Sequence, residues 1–570
     1  MQGIILANNR VMSGRLTQGI CLEEINGETL IERMLKQLEK YDLAEIIIVA
    51  DECKAEIVDV VSKISFKTKI HFVDAEKNIE DNSLYHIKDI LIKDESLVLN
   101  SNIIFEDSLL DALMESKGEM VAVVDKYKSW MTGDTVILND RNQIIGIKDK
   151  KQIDHLSLQN DYKTVGMYKV EASFFEEEKR PSAEICLADE RSWFEINDIQ
   201  DLKLASILFS EDEDYIVENM LGSWGGYWRY PEYLDYFYLV TPYYPTPALV
   251  EELKSNFDNL LVQYPSGMRV NAMLAAKEFF VKPENIIIGN GAAELIKSIM
   301  SLVKGRTGFI RPTFEEYPNR LTEEEHICYW VESDDFTYDV DDLIQFFKDK
   351  DIKNLVLVNP ENPSGNYINR ESMYKLLDWT LKENIKVIID ESFVDFVDEP
   401  EPTLIRQDIL DKYRNLYVVK SISKSYGVPG LRLGVLASGD IDTIAWMKKD
   451  VSIWNINSFA EFYMQIAGKY REDYKEALER FRKERVVFQK ELSKVKGIRV
   501  IPSQANYVMV ELTDGIDAEV LKRRMLIEEK VFIKTLGKKI KNGKQYLRLA
   551  IRNHEDNEKL IIALGKVIGE

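Results

Sequence analysis

Cysteine is scarce in this chain: four in 570 residues, Cys21, Cys53, Cys186 and Cys328, far apart and with no metal-type pair among them. That spacing excludes a thiolate metal centre and suits reduced, buried thiols in a reducing cytosol. Positive charge is short as well, with 74 Lys and Arg against 97 Asp and Glu, a net charge of -23 and a pI near 4.9. Such a field repels a phosphate backbone, which excludes nucleic acid and an anionic membrane as main partners but leaves room for one small anion held by local arginines. No run of 18 apolar residues occurs, and the opening "MQGIILANNR" lacks a basic region followed by a cleavable apolar core. A cytoplasmic protein is the expectation. There is also no internal repeat and no low-complexity tract. What is present is an ordinary globular composition, 45% hydrophobic and 30% charged, in a chain long enough for more than one domain at roughly 150 residues each.

"GIILA" (3–7) reads as a short buried strand, and Leu30, Ile31, Met34, Leu35 and Leu38 recur at the spacing of an amphipathic helix. The further strands "EIIIVA" (45–50), "SLVLN" (96–100) and "EMVAVVD" (119–125) alternate with helical stretches, the rhythm of a parallel sheet covered on both faces. Apolar periodicity lapses at the acidic "LFSEDEDYIVENM" (208–220), read as a solvated connector, before the aromatic "GSWGGYWRYPEYLDYFY" (222–238). Strands resume with "NIIIG" (285–289), "TGFI" (307–310), "NLVLV" (354–358), "IKVIID" (385–390), "NLYVVK" (415–420) and "GVLAS" (434–438). Charged helical segments then lead to "NYVMVEL" (506–512) and "QYLRLAI" (545–551). The layout is a domain over 1–210, a linker and arm over 211–240, and a second domain over 241–570 whose part from about 440 onward is a smaller α+β unit.

Three features at strand ends of the second domain belong together. In "NPENPSG" (359–365) two prolines and Gly365 fix a turn from which the Asn362 amide projects. Asp390 ends an apolar strand in "IIDESFVDF", where a carboxylate needs a cationic or donor partner. Lys424 follows the next strand in "SISKSYGVPGLRLG". The carboxyl ends of strands in an open parallel sheet form the ligand crevice, so amide, carboxylate and lysine face one ligand. Pyridoxal phosphate needs all three, because its aldehyde requires an amine, its ring nitrogen an acid partner and its phosphate donors. Lys424 would hold the aldehyde and move the Cα proton, and Asp390 would keep the ring nitrogen protonated. Ser421, Ser423 and Arg432 would bind the phosphate, joined by the backbone N–H groups of Ala292 and Ala293 at the helix start in "GNGAAELI".

These motifs resemble the fold-type I pyridoxal-phosphate enzymes of aminotransferase class I/II, especially histidinol-phosphate aminotransferase and threonine-phosphate decarboxylase, over about 240–570. The resemblance implies a large α/β/α domain with a small α+β domain, and a homodimer in which Tyr264 of "QYPSG" reaches the partner subunit's cofactor. It also implies an aromatic ring near the cofactor at Phe314 of "RPTFEEYP", a carboxylate-gripping Arg548 in "YLRLAIRN", and Asn506 of "QANYVMV" beside it. Two positions depart from the aminotransferase pattern. Phe393 stands where those enzymes carry a tyrosine on the cofactor ring oxygen, a wording closer to threonine-phosphate decarboxylase, and Lys534 replaces the phosphate-binding arginine.

Residues 1–210, with "GIILANN", "LVLNSNIIFED", "YKTVGMYKV" and "WFEINDIQDLKLA", resemble sugar-phosphate and phosphonate nucleotidylyltransferases, which implies a Rossmann-like domain. Its catalytic positions are altered: Ile20 stands at the place of a lysine, and Asn102 and Asn197 at the places of Mg²⁺-binding aspartates. A neutral amide cannot supply that charge, although Asp198 or Glu195 could compensate and Arg10 or Arg15 could touch phosphate. The resemblance therefore implies a nucleotide-binding, regulatory or scaffolding domain, with no resident metal. The leading expectation is transamination of a small, phosphorylated or phosphonate-bearing amino acid and its 2-oxo acid; the alternatives are decarboxylation of an O-phospho amino acid on the same scaffold, or a bifunctional enzyme with residual cytidylyl transfer.

Overall fold

The structure is a computed structural model and describes all residues except 8–18, 51–52, 76–89, 91–94, 128–130, 132–134, 149–160, 176–182, 189–191, 223–224, 231, 538 and 570. The chain divides into two units, Met1–Arg229 and Tyr230–Glu570.

In the first unit, the strand Gln2–Ala7 lies between Ile46–Ala50 and Ser96–Asn100, parallel to both, and Ile70–Asp74 extends the parallel part. The helix Leu30–Leu38 starts at a capping box of Thr29 and Glu32 and buries the five apolar residues whose spacing defines it. The sheet is mixed, however, and not wholly parallel: Tyr162–Val170 runs antiparallel to both Ser96–Asn100 and Met120–Lys126. Between Met120–Lys126 and Tyr162–Val170 the chain forms a hairpin of Thr135–Leu138 and Ile144–Lys148. A hairpin reverses direction where a parallel connection needs a crossover. The acidic stretch read as a connector carries the helix Glu213–Gly222, which packs on Ile199–Leu208 and buries Met220. An apolar residue on successive turns, Ile216 then Met220, anchors it despite its charge.

The second unit is built on a seven-stranded sheet in the order Ile286–Asn290, Leu433–Ser438, Leu416–Ser421, Lys386–Asp390, Asn354–Val358, Thr307–Arg311, His326–Trp330. Leu433–Ser438 is antiparallel to both its neighbours, and the strands from Leu416–Ser421 to His326–Trp330 are parallel. The central strands read as unbroken apolar runs because both faces are covered. The register sets Val358 beside Asp390 and Asp390 beside Val419, so the turn at Asn362, the carboxylate and the Lys424 loop leave the sheet at adjacent points.

A four-stranded antiparallel sheet, Ile498–Ile501, Tyr507–Leu512, Gln545–Ala550 and Lys534–Thr535, forms the smaller part. The aromatic arm joins it: Leu234–Asp235 pairs with Val531–Phe532, and Tyr236 and Leu239 are buried. Arg485, on the helix Arg471–Leu492, donates to the carbonyls of Phe396 and Gln504 at 2.7 Å each and pairs with Asp398 at 2.7 Å, which clamps this part to the loop that follows Asp390. Among the described residues no helix is long and apolar enough to cross a membrane.

Candidate active site

Lys424 follows the strand Leu416–Ser421, and its loop is pinned on both flanks. Ser425 donates to Asp395 Oδ2 at 2.6 Å, and the buried Lys420 ammonium donates to the other oxygen of that carboxylate at 2.5 Å. Thr241 N–H donates to the Lys424 carbonyl at 3.1 Å. Gly427 turns the loop at φ +63°, and a Cβ there would lie 1.8 Å from the Tyr244 carbonyl oxygen, so only glycine passes. Burial pushes the Lys424 amine down to about 8; Arg548 and Arg432 push the same way, and the Asp390 carboxylate opposes them.

Asp390 is 3% exposed. Its Oδ1 accepts from Ser392 N–H and its Oδ2 from the Tyr317 hydroxyl, both at 2.8 Å. Burial raises its pKa against the pull of those donors and of Lys424. A buried carboxylate of this kind, held rigidly and with only a lysine for nearby positive charge, suits a protonated ring nitrogen. Tyr317 and Ser392 were not foreseen; Tyr317 lies in the same "RPTFEEYP" from which Phe314 was taken, and a "YP" turn three residues on is the signal that could have found it. Phe314 is 38% exposed and edge-on to Tyr317 at 6.4 Å.

At the other end of the crevice Gly291 (φ +74°) precedes the helix Ala292–Ser301, whose start has no side-chain cap. Ala292 is buried and Ala293 exposed at this start. A Cβ on Gly291 would lie 2.5 Å from an Arg432 guanidinium nitrogen, and one on Gly434 would lie 2.4 Å from the Ala292 nitrogen. Arg432 holds a left-handed backbone at φ 56°, and its carbonyl accepts from Gly291 N–H at 2.8 Å. Non-glycine residues adopt that conformation rarely and at a cost, which fits a position set by function. Ser421 N–H donates to Ser392 Oγ at 3.0 Å, which ties the phosphate-side strand to the Asp390 turn. Ser423 Oγ is buried without a hydrogen-bond partner among the described residues.

The predicted substrate side also assembles. Arg548 donates to Asn362 Oδ1 at 3.1 Å and to the Phe237 carbonyl at 2.9 Å, and burial brings its pKa down to about 10. Asn506 is fully buried, and neither of its amide atoms has a partner among the described residues. Phe393 is buried edge-on against Tyr507 at 5.0 Å. Lys534 lies in register with Arg548, 4.4 Å from the centre of the Phe237 ring. Tyr264 is not gathered into this group: it is 79% exposed and stacks on Trp454 at 4.5 Å.

Orphaned polar atoms on Ser423 and Asn506, a cradle at Gly291 and Gly434 that admits no Cβ, and an amine and carboxylate on adjacent strand ends are the donor set of pyridoxal phosphate. Lys424 would hold its aldehyde, Asp390 its ring nitrogen, and Ser421, Ser423, Arg432 and the helix start its phosphate.

In the first unit, Asn102 is buried and its amide donates to the Ile196 carbonyl at 3.4 Å, while the buried Asn197 Nδ2 lacks a partner among the described residues. The two acids that could compensate for them are engaged in structure. Glu195 pairs with Lys163 at 3.0 Å, and Asp198 caps the helix Ile199–Leu208. Ile20 is buried in apolar surroundings; Arg10 and Arg15 lie outside the described residues. Among the described residues no group of three or more His, Cys, Asp or Glu is placed to hold a metal ion.

Fold and site together define a pyridoxal-phosphate-dependent enzyme. Residues 262–564, more than half of the chain, match the family described as "Aminotransferase class I and II", and the chain belongs to that family. It is 27% identical to the CMP-5'-(3-aminopropyl)phosphonate synthase of Streptomyces rubellomurinus across 96% of this chain and 91% of that protein. It is 33% identical to the L-serine phosphate decarboxylase of Sulfurospirillum multivorans across 59% of this chain and 88% of that protein. A solved decarboxylase structure from Sulfurospirillum multivorans superposes with a TM-score of 0.55 at 31% identity, covering 62% of this chain and 90% of that one.

Because Lys424 titrates near 8 in the folded protein and near 10.5 when unfolded, the unfolded state binds the extra proton between those values. The cofactor-free protein therefore gains stability as pH rises through that window, and Lys424→Met abolishes this increment. Attachment of pyridoxal phosphate to the cofactor-free protein, followed by absorbance, is expected to accelerate up to about pH 8 and then level off. Acceleration that continues to the ordinary lysine range contradicts the lowered pKa.

Proposed function

We propose that the second unit decarboxylates a small α-amino acid carrying a phosphate or phosphonate group, using pyridoxal phosphate on Lys424. The observation that carries this reading is the placing of Lys424 and the buried Asp390 beyond adjacent strand ends, where each acts on the other electrostatically and Arg432 and Arg548 act on the lysine. Decarboxylation is favoured over transamination by Phe393, an aromatic side chain with no hydroxyl where class I/II aminotransferases place a tyrosine on the cofactor. Two relatives' names support this, one an L-serine phosphate decarboxylase and the other naming a product with an amine and a phosphonate but no carboxyl group, while other relatives are named histidinol-phosphate aminotransferases.

Pyridoxal phosphate supplies an electron sink for the pair left when a Cα bond breaks. The chain supplies the rest. Asp390, oriented by Tyr317 and Ser392, keeps a proton on the ring nitrogen. Arg548 would grip the substrate's carboxylate with Asn506 beside it, and Lys534 would meet the distal anion. The Lys424 ammonium would deliver a proton to Cα at the position that carbon dioxide vacates. A lysine with a lowered pKa suits that transfer near neutral pH. Tyr264 and Trp454, with the neighbouring Val262 and Ile453, which are 71% and 76% exposed, form an apolar surface suited to a second copy of the chain, which supports a homodimer.

For the first unit, the similarity along nearly the whole chain to a protein whose product carries CMP supports a cytidine nucleotide as ligand. The buried Asn100 Oδ1 and Asn197 Nδ2, which have no hydrogen-bond partner among the described residues, support a polar ligand there. With amides at 102 and 197, and with Glu195 and Asp198 engaged elsewhere, binding without turnover is the reading.

Holoenzyme given O-phospho-L-serine or its phosphonate counterpart is expected to release carbon dioxide in step with amine product, and Lys424→Ala to be at least about 100-fold slower. Release of keto acid with the cofactor left in its amine form, and no carbon dioxide, establishes transamination instead. Calorimetric titration with CTP is expected to give binding heat without pyrophosphate release; sustained pyrophosphate release with Mg²⁺ overturns the non-catalytic reading.

A further inference from the structure

The turn "NPENPSG" carries, one residue before Asn362, a carboxyl group to which the chemistry above gives no part. Glu361 is 1% exposed. Its Oε1 accepts from the Thr313 hydroxyl at 2.8 Å and from Asn362 N–H at 3.0 Å, and its Oε2 accepts from the Tyr338 hydroxyl at 3.2 Å. All three donors are neutral. Lys539, a cation that acts on this carboxyl, donates instead to the Thr313 carbonyl at 2.9 Å. Burial pushes the Glu361 carboxyl up to about 8, so its place here does not depend on a negative charge at neutral pH. A buried carboxyl without a cationic partner costs stability that an apolar side chain of its size does not, and such exceptions gather at functional sites. What Glu361 joins is the substrate side of the crevice. Asn362, whose N–H it holds, accepts from Arg548 through Oδ1 at 3.1 Å. The Glu361 carbonyl accepts from the Tyr507 hydroxyl at 2.7 Å, and the Tyr507 ring lies 5.8 Å from the Arg548 guanidinium carbon. Thr313 is the residue before Phe314 and belongs to the segment whose Tyr317 holds Asp390.

We propose that Glu361 is a positioning residue for the substrate's α-carboxylate: through Asn362 on one side and Tyr507 on the other it sets the Arg548 guanidinium in place, and through Thr313 it ties that grip to the segment beside the cofactor ring. The proposal rests on the reading above in which Arg548 grips the carboxylate. It adds a residue that touches neither substrate nor cofactor and acts only by fixing groups that do. The chemistry it needs is that of a rigid acceptor, because a guanidinium aimed by one amide and one ring loses its alignment when the amide's turn is free to shift.

The test titrates the cofactor-loaded protein with O-phospho-L-serine and, separately, with phosphoethanolamine, which keeps the amine and the phosphate but lacks the α-carboxylate. Each titration is followed by the absorbance of the bound cofactor. Glu361→Ala is expected to weaken O-phospho-L-serine by at least about ten-fold and to leave phosphoethanolamine within about two-fold of the original. Glu361→Gln, which keeps a neutral hydrogen-bonding group of the same shape, should restore O-phospho-L-serine to within about three-fold. Thr313→Val removes only the hydroxyl that Glu361 accepts from; it should show the same preference at about three-fold, and it carries the test if Glu361→Ala does not fold. Weakening of both ligands alike, or of neither, overturns the positioning role, and failure of O-phospho-L-serine to bind the original protein overturns it together with the substrate reading. Selective loss of O-phospho-L-serine in Glu361→Ala, with no carbon dioxide released by the original protein, leaves the role of Glu361 standing and overturns the reaction. Carbon dioxide release with KM and kcat unchanged in Glu361→Ala does the reverse.

Discussion

Holding a half-buried lysine amine with one carboxylate near it and two guanidinium groups weighing on it is the constraint on which the rest of the second unit depends. Removing Lys424 from water disfavours its charge, Arg432 and Arg548 disfavour it further, and Asp390 only partly offsets them. The outcome is an amine that is half neutral near pH 8, and the neutral form is the one that can attack an aldehyde. The surrounding structure keeps it there. Ser425, Asp395 and Lys420 fix the loop from below, Gly427 lets it pass Tyr244, and Tyr317 with Ser392 holds the Asp390 carboxylate at the neighbouring strand end.

The same economy of space governs the phosphate end. Gly291 and Gly434 bring Arg432 and the first turn of the helix Ala292–Ser301 so close that no side chain fits between them. The N–H groups of that first turn have no side-chain cap, and the buried Ser423 hydroxyl has no hydrogen-bond partner among the described residues. Such an arrangement is costly without an anion and stable with one.

Much of this was legible before any coordinates. Asn362, Asp390 and Lys424 stand at the ends of apolar runs, and a parallel sheet brings such ends together, so local pattern and topology suffice to place them. Arg548, Asn506 and Arg432 followed from short motifs; the structure joins Arg548 to Asn362 and Arg432 to the turn at Gly291 and buries Asn506. What escaped were groups defined by tertiary partners, Tyr317 and Ser392 on Asp390. In the first unit the antiparallel insertion of Tyr162–Val170 was hidden because strand direction depends on the connection and not on the strand's own residues. The helix Glu213–Gly222 was hidden by its acidity, since the apolar residues that anchor it are few.

The central claim is that Lys424, and no other amine, carries the cofactor. Reduction of the pyridoxal-phosphate-loaded protein with borohydride, proteolysis and mass spectrometry tests it directly. A single pyridoxyl group on the peptide containing Lys424 is the expected result; a pyridoxyl group on Lys420 or Lys539, or on no lysine at all, would contradict the account.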